Sequence, residues 1–476
     1  MIMKKITLLA LTGMLLAATA LKAQDRPNIV FILADDLGYG DLGAYGQTKI
    51  KTPNIDRLAK QGMCFTQFYA GTTVCAPSRS SLLTGQHTGH TFVRGNKEIE
   101  PEGQEPLADT VQSYAKLLQQ AGYTTGAFGK WGLGMVGTTG APDKKGFDVF
   151  FGYNCQRQSH RYYPTHLWSN NEKVELTGNH LTQQKIYAPA LIQEKTLAFI
   201  QDNKDKPFFL FAPTTLPHAE LQGPDDEYYK QYENSFEERP YKGNDYGPNA
   251  KVAGYASVAK PHATYAAMVS RMDAYVGQIL DKLDALGLTE KTIVIFSSDN
   301  GAHKEGGADP VFFNSSAGLR GYKRDLYEGG IKTPFIVKWP GKVKEGSKSN
   351  FTGAFWDLMP TFTDITGAPK PKYTDGISFL PTLLGKRKQA QHTYLYWEFH
   401  EDGGRQALRM GKWKAVRLNV QDSNAPLELY NLDTDPGEQN NVAASHAAIV
   451  KKMSGYIKAA HIESDVFPLL GKGSAQ

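Results

Sequence analysis

Residues Asn28–Ala34, NIVFILA, form a strand-length run with almost no polar interruption, and that run constrains the fold most. A strand with one face in water alternates apolar and polar residues; an uninterrupted one needs cover on both faces. Similar runs recur at Pro207–Ala212 (PFFLFA), Thr292–Ser297 (TIVIFS) and Pro334–Lys338 (PFIVK), with a further strand at Tyr123–Phe128. Helical patterns separate them. Asn54–Gly62 ends at its glycine. Asp109 is the expected cap of a second helix, with Val111, Tyr114, Leu117 and Leu118 on one face and Gly122 past its end. Glu194–Ile200 and the long pattern Thr264–Leu286 follow. This alternation predicts an α/β fold, a large, mostly parallel sheet sandwiched by helices.

The last hundred or so residues change character. His392–Phe399, Ala407–Leu418 and Leu427–Leu432 read as antiparallel strands and Ser445–Ala460 as one helix. They predict a smaller C-terminal α+β subdomain over residues 370–476, after an α/β catalytic domain over 24–369. Residues 220–261, rich in Tyr, Asp, Glu, Gly and Pro, lack periodicity and read as a surface insertion near the rim of the site.

The N-terminus reads as a signal peptide over residues 1–23. Lys4 and Lys5 form its basic start, Ile6 to Leu21 its apolar core, and Ala23 precedes the expected cut. A membrane anchor is the alternative, but the run is short and holds Thr7, Thr12, Gly13 and Thr19. The protein is therefore expected to be exported, periplasmic or secreted, with no membrane span after cleavage. Losing Lys4, Lys5 and Lys22, and no acid, takes the formal charge from +5 to +2. That balance gives little support for a nucleic-acid partner. Of the three cysteines, Cys64 and Cys155 are free to pair or to remain buried thiols, leaving Cys75.

Polar residues cluster where the strands end. Asp35 and Asp36 follow the first, Lys130 the second, His218 lies beyond the third, and Asp299 and Asn300 follow the fourth. In a parallel sheet these ends share one edge, where ligands bind. Three carboxylates and an amide suit a hard cation, Ca²⁺ or Mg²⁺, rather than zinc. Taken singly these residues are weak signals. Asp-Asp often caps a turn, an isolated lysine is usually solvated, and an isolated histidine is more often structural.

Cys75 stands in Val74-Cys75-Ala76-Pro77-Ser78-Arg79, followed by Leu82-Leu83-Thr84-Gly85. A lone cysteine is most often a buried thiol. A helix starting near Pro77 would aim free N–H groups and Arg79 back at position 75, a geometry that suits an anion. The run resembles the Cys-x-Pro-Ser-Arg motif of the type I sulfatases, the formylglycine-dependent, arylsulfatase-like branch of the alkaline phosphatase superfamily. Asp35-Asp36, Gly129-Lys130-Trp131, Pro217-His218, Ser298-Asp299-Asn300-Gly301 and Lys323 ahead of Glu328-Gly329-Gly330 resemble further motifs of that family, in its order.

The resemblance implies that Cys75 is oxidised to formylglycine by a sulfatase-maturating enzyme. It also implies that Asp35, Asp36, residue 75, Asp299 and Asn300 hold Ca²⁺, with Mg²⁺ possible. Hydrated formylglycine would attack sulfur, its deprotonation favoured by the metal and Asp299. Lys130, Lys323 and Arg79 would neutralise the sulfate oxygens, and His218 would protonate the leaving alcohol. The remaining hydroxyl would then expel sulfate, which a plain serine or cysteine ester could not do. The substrate expected is a sulfated carbohydrate of the galactose or N-acetylgalactosamine type. Arg157, His160 and His166, in the run from Cys155, suit a sugar or a second anion. The chain departs from the family at Gly132, where members commonly carry a histidine that contacts formylglycine; His160 and His166 are the candidates to replace it. Two other readings stay open: a phosphate or phosphonate ester hydrolase of the same superfamily, and a catalytically dead glycan-binding relative.

Overall fold

The computed structural model describes residues 26–180, 183–244 and 254–470; the expected export segment, 1–23, lies outside them. Among the described residues the main sheet has ten strands. They are β1 (Asn28–Ala34), β2 (Met63–Phe65), β3 (Thr124–Lys130), β4 (Val149–Tyr153), β5 (His166–Ser169), β6 (Glu172–Glu175), β7 (Phe208–Pro213), β8 (Thr292–Ser298), β9 (Phe335–Lys338) and β10 (Ser347–Ser349). Their order is β10-β2-β9-β8-β1-β7-β3-β4-β5-β6. The central block from β8 to β4 is parallel throughout. β9, β5 and β6 run antiparallel to their neighbours. The expected α/β sheet is therefore present, but its flanks are mixed. β9 reverses because the chain between β8 and β9 stays at one edge and makes no crossover.

Successive residues of β1 enter opposite cores, which is why the run has no polar interruption. Val30, Ile32 and Ala34 pack in one core with Leu58, Phe199 and Met268. These come from helices α1 (Pro53–Lys60), α4 (Ala188–Asp202) and α5 (Pro261–Ala285). Ile29, Phe31 and Leu33 pack in the other with Leu82, Leu117 and Phe362. Those come from α2 (Cys75–Thr84), α3 (Tyr114–Gln120) and α6 (Leu358–Thr366). Each such buried side chain stabilises the fold by about 1.5–3 kcal/mol. The expected cap of α3 is corrected. Ser113, in extended conformation, accepts the Lys116 N–H at 3.1 Å, and Asp109 and Val111 lie before the helix.

A separate antiparallel sheet contains β11 (Leu395–Phe399), β12 (Arg405–Met410), β13 (Trp413–Leu418) and β14 (Leu427–Asn431). The run expected as one strand, Ala407–Leu418, is a hairpin. Met410 pairs with Trp413, and Gly411 supplies the turn with φ of +59°. Helix α7 (Ala447–Ala460) covers one face. Cys64, Cys75 and Cys155 are all buried free thiols. Cys64 lies in β2, and Cys155 just beyond β4 on the opposite flank of the sheet, so distance keeps them apart.

A buried ion pair ties the two sheets. Lys414 Nζ in β13 lies 2.9 Å from Glu328 Oε1 and 3.3 Å from Glu438 Oε1. Burial alone would raise Glu328, but Lys414 holds it down to about 2; burial pushes Glu438 up to about 7. Lys414→Met removes the nearest cation from Glu328, which keeps the Tyr69 hydroxyl, and is expected to destabilise the protein by about 3 kcal/mol in urea unfolding.

Candidate active site

Four parallel strands deliver the site from one edge. Hydrogen bonds continue the ladder past the strand ends: Asp35 N–H donates to Leu216 O at 3.1 Å and Asp299 N–H to Ala34 O at 3.0 Å. Asp36 then turns with φ of +60°, a strained value for a residue with a Cβ. Its N–H donates to Asp299 Oδ1 at 3.1 Å, and the next, Leu37 N–H, to Ser298 Oγ at 2.9 Å. The turn lets the adjacent Asp35 and Asp36 both approach Cys75. Cys75 Sγ lies 3.4 Å from Asp35 Oδ1 and 3.8 Å from Asp36 Oδ1. Cys75 is the first residue of α2.

Three buried cations meet these carboxylates. Lys130 Nζ donates to Asp35 Oδ2 at 2.8 Å and Lys323 Nζ to Asp36 Oδ2 at 2.8 Å. The Arg79 fork donates to Asp299 Oδ2 at 3.0 and 2.8 Å and to Lys130 O at 2.6 Å. Three of the five Arg79 N–H donors are thus held by protein groups, and they orient Asp299. Lys323 Nζ also donates to Glu305 Oε2 at 2.8 Å. Glu305 also lies 3.7 Å from Arg324 Nε, so Asp35, Asp36, Asp299 and Glu305 face Lys130, Lys323, Arg79 and Arg324. Burial would raise Asp36, but Lys323 holds it well below the usual carboxylate range. The crowding of carboxylates shows in Asp299, pushed up to about 7 by burial and then by Asp35.

The donor set fits a hard divalent cation. Asn300 Oδ1 is buried with no hydrogen-bond partner, while its Nδ2 donates to Asp36 Oδ1 at 2.7 Å. Asp35, Asp36, Cys75 and His218 each present a ligand atom within 4.8 Å of the others. Two of these four atoms are carboxylate oxygens and Asn300 Oδ1 adds a third, the donor type that Ca²⁺ or Mg²⁺ favours.

His218 joins from beyond β7. Burial, then Lys323 and Lys130, hold its imidazole well below the ordinary histidine range, so it is neutral. Its Nδ1–H faces Ala219 O, which leaves Nε2 to accept from Lys323 Nζ at 3.1 Å. His160 stacks on it at 4.5 Å between centroids. The two other expected substrate residues lie farther out. Arg157 sits on the rim, ion-paired with Glu100 at 3.1 Å. His166, in β5, is turned away, with Nε2 2.7 Å from Glu102 Oε2. Sequence reasoning missed Glu305, Tyr255, Glu220 and Gln156. Tyr255 and Glu220 fall within the segment expected as an insertion near the rim, and the Tyr255 hydroxyl donates to Glu305 Oε2 at 2.7 Å.

Gln156 occupies the place opened by Gly132. A Cβ on Gly132 would lie 1.9 Å from Gln156 Nε2. Both amide atoms of Gln156 are buried and unpartnered, as are those of Asn154. Gly132 also has φ of +74°. Gly132→Ala is expected to cost more than about 1 kcal/mol in chemical denaturation. Adding Gln156→Gly removes the clash but not the backbone strain, so it restores only part of the loss.

The chain matches known proteins over nearly its whole length. The Sulfatase family model matches residues 27–368, and that of the N-sulphoglucosamine sulphohydrolase C-terminal region matches 320–462. Arylsulfatase A of Homo sapiens is 31% identical, over 94% of this chain and 89% of that one. N-acetylgalactosamine-6-O-sulfatase of Bacteroides thetaiotaomicron is 29% identical, over 90% and 92%. The crystal structure of Ps i-CgsB superposes with a TM-score of 0.75 at 28% identity, covering 91% of this chain and 92% of that one. A second structure of that protein is in complex with k-i-k-neocarrahexaose. By its family match, its fold and these relatives, the chain belongs to the type I sulfatase family and is a sulfuric ester hydrolase.

Proposed function

We propose that the protein hydrolyses O-sulfate monoesters on a carbohydrate of the galactose or N-acetylgalactosamine type, with Cys75 matured to formylglycine and a divalent cation, Ca²⁺, at Asp35, Asp36, Asp299 and Asn300. The observation that carries this reading is the buried, unpartnered Asn300 Oδ1, whose amide contacts Asp36. A divalent cation there would match that oxygen and add positive charge where Lys130, Lys323 and Arg79 are already paired with carboxylates. Relatives support a sugar substrate: one is named an N-acetylgalactosamine-6-O-sulfatase, and another is solved with k-i-k-neocarrahexaose. Export to the periplasm or medium suits such a substrate. Among the described residues no helix is long and apolar enough to cross a membrane.

An ordinary thiolate mechanism fits poorly. Burial, then the neighbouring Asp35, push the Cys75 thiol well above its usual range, so it stays protonated. Matured to a hydrated aldehyde, residue 75 would offer one hydroxyl to attack sulfur and a second whose deprotonation would release sulfate. A cation held by Asp35, Asp36, Asp299 and Asn300 would supply charge neutralisation at the ester oxygens. Lys130 and Lys323, paired with Asp35 and Asp36, present ammonium groups to the same oxygens. Arg79 holds Asp299 in place. His218 Nε2, in contact with Lys323 Nζ, carries no proton of its own, so it serves the leaving oxygen by passing on the proton that the attacking hydroxyl releases. Gln156, whose amide fills the space beside Gly132, is the group we assign to hydrogen-bond the bound sulfate where relatives carry histidine.

Release of sulfate and of phosphate from matched nitrophenyl esters tests the reaction class. Sulfate release is expected, and Cys75→Ala is expected to lower it by about 10³-fold or more while the circular dichroism spectrum is unchanged. Phosphate release in preference to sulfate, or comparable turnover in the variant, contradicts the reading. His218→Ala is expected to lower kcat on a sulfated sugar by about 10²–10⁴-fold, and less on nitrophenyl sulfate, whose leaving group departs without a proton.

A further inference from the structure

Beside the catalytic cluster lies a cavity of about 230 Å³, lined by Glu98, Arg157, His160, Arg161, Glu220 and Tyr255. That is below the roughly 300 Å³ of pockets for drug-sized ligands and suits a single sugar ring. Two of its walls belong to the catalytic site as well. His160 stacks on His218, and Tyr255 donates to Glu305, which in turn holds Lys323. A group in the cavity therefore sits against the pair that serves the leaving oxygen.

The cavity is mixed in charge, and its cations are engaged. Arg157 lies 3.7 Å from Glu98 and 3.1 Å from Glu100. Arg161 and Glu220 attract each other across the wall. Glu220 is the unusual member. It is 2% exposed, one oxygen is held by the Ala256 N–H, and Oε2 is buried with no hydrogen-bond partner. Leaving a buried carboxylate oxygen unmatched is costly, so a partner from outside is implied. An ammonium would meet two guanidiniums, and a second sulfate would meet Glu220 and Glu98. A neutral hydroxyl donor meets neither objection.

We propose that Glu220 determines specificity: its Oε2 accepts a hydrogen bond from a ring hydroxyl of the sulfated sugar, and the cavity selects a neutral pyranose without a second charged group. The inference rests on the sulfatase reading of the adjoining site. Of the two ligands expected for Arg157, His160 and His166, a sugar or a second anion, it takes the sugar.

The test uses the full-length mature protein with monosulfates of galactose and N-acetylgalactosamine, the corresponding disulfates, and nitrophenyl sulfate. Glu220→Gln and Glu220→Ala are expected to raise KM for the preferred monosulfate about tenfold or more, with a smaller change in kcat. The loss in kcat/KM on that sugar should exceed the loss on nitrophenyl sulfate by about tenfold. Equal losses on both would mark a structural role and overturn the proposal. So would a wild-type preference for a disulfate over its monosulfate. Calorimetric binding of the preferred monosulfate to the Cys75→Ala protein, with and without Glu220→Ala, gives a readout independent of turnover. Binding about tenfold weaker is expected, and unchanged binding overturns the proposal. If the mature protein released sulfate from no ester, the sulfatase reading would fall, and the binding of each monosulfate in turn would still decide the role of Glu220.

Discussion

Asp35, Asp36 and Asp299 are fully buried carboxylates, and the architecture of the site follows from keeping them ionisable there. A buried carboxylate is tolerated only when paired and hydrogen-bonded. Each has its own cation: Lys130 for Asp35, Lys323 for Asp36 and Arg79 for Asp299. Each cation is itself buried and arrives on a different element. The pairs are linked, since Lys323 also holds Glu305 and Arg79 also lies 3.7 Å from Asp35, so a substitution in one pair shifts the charge balance of the next.

The scaffold explains how such a cluster is held. Parallel strands bring Asp35, Lys130 and Asp299 to one edge from positions far apart in the chain, and β7 leads on to His218 at the same edge. The loop after β8 is braced from behind. Gly301 N–H donates to Gly330 O at 3.0 Å, and a Cβ on Gly301 would meet Gly329 O at 2.0 Å. Glu328, at the start of that turn, is the residue that Lys414 anchors to the second sheet. The C-terminal sheet thus fixes the backbone next to Asp299 and Asn300 without reaching the site.

The strand-end residues were legible in the sequence because a buried parallel strand leaves two independent marks, an apolar run and a polar residue where it stops. Asp35 and Asp299 carry both; Lys130 ends a strand that opens Thr-Thr-Gly, and His218 lies five residues beyond its strand. The antiparallel course of β9 leaves no such mark, since an apolar run reads the same in either direction. The α3 cap was misplaced because Asp109 and Ser113 are both good caps, and only the backbone decides between them. Glu305, Gln156 and Glu220 were invisible for a different reason. Each is a single polar residue in a loop, and its partner is set by how that loop returns to the sheet. His160 and His166 show the limit: they stand in one run, yet a short 3₁₀ turn over Gln158–His160 sends the first to His218 while β5 carries the second away.

The central claim is that this carboxylate cluster is built around a divalent cation. Calorimetric titration of Ca²⁺ into metal-stripped protein tests it most directly. The account predicts one ion bound per chain, with binding abolished by Asp36→Asn in a protein that remains folded. No binding to the wild-type chain, or undiminished binding in the variant, would contradict it.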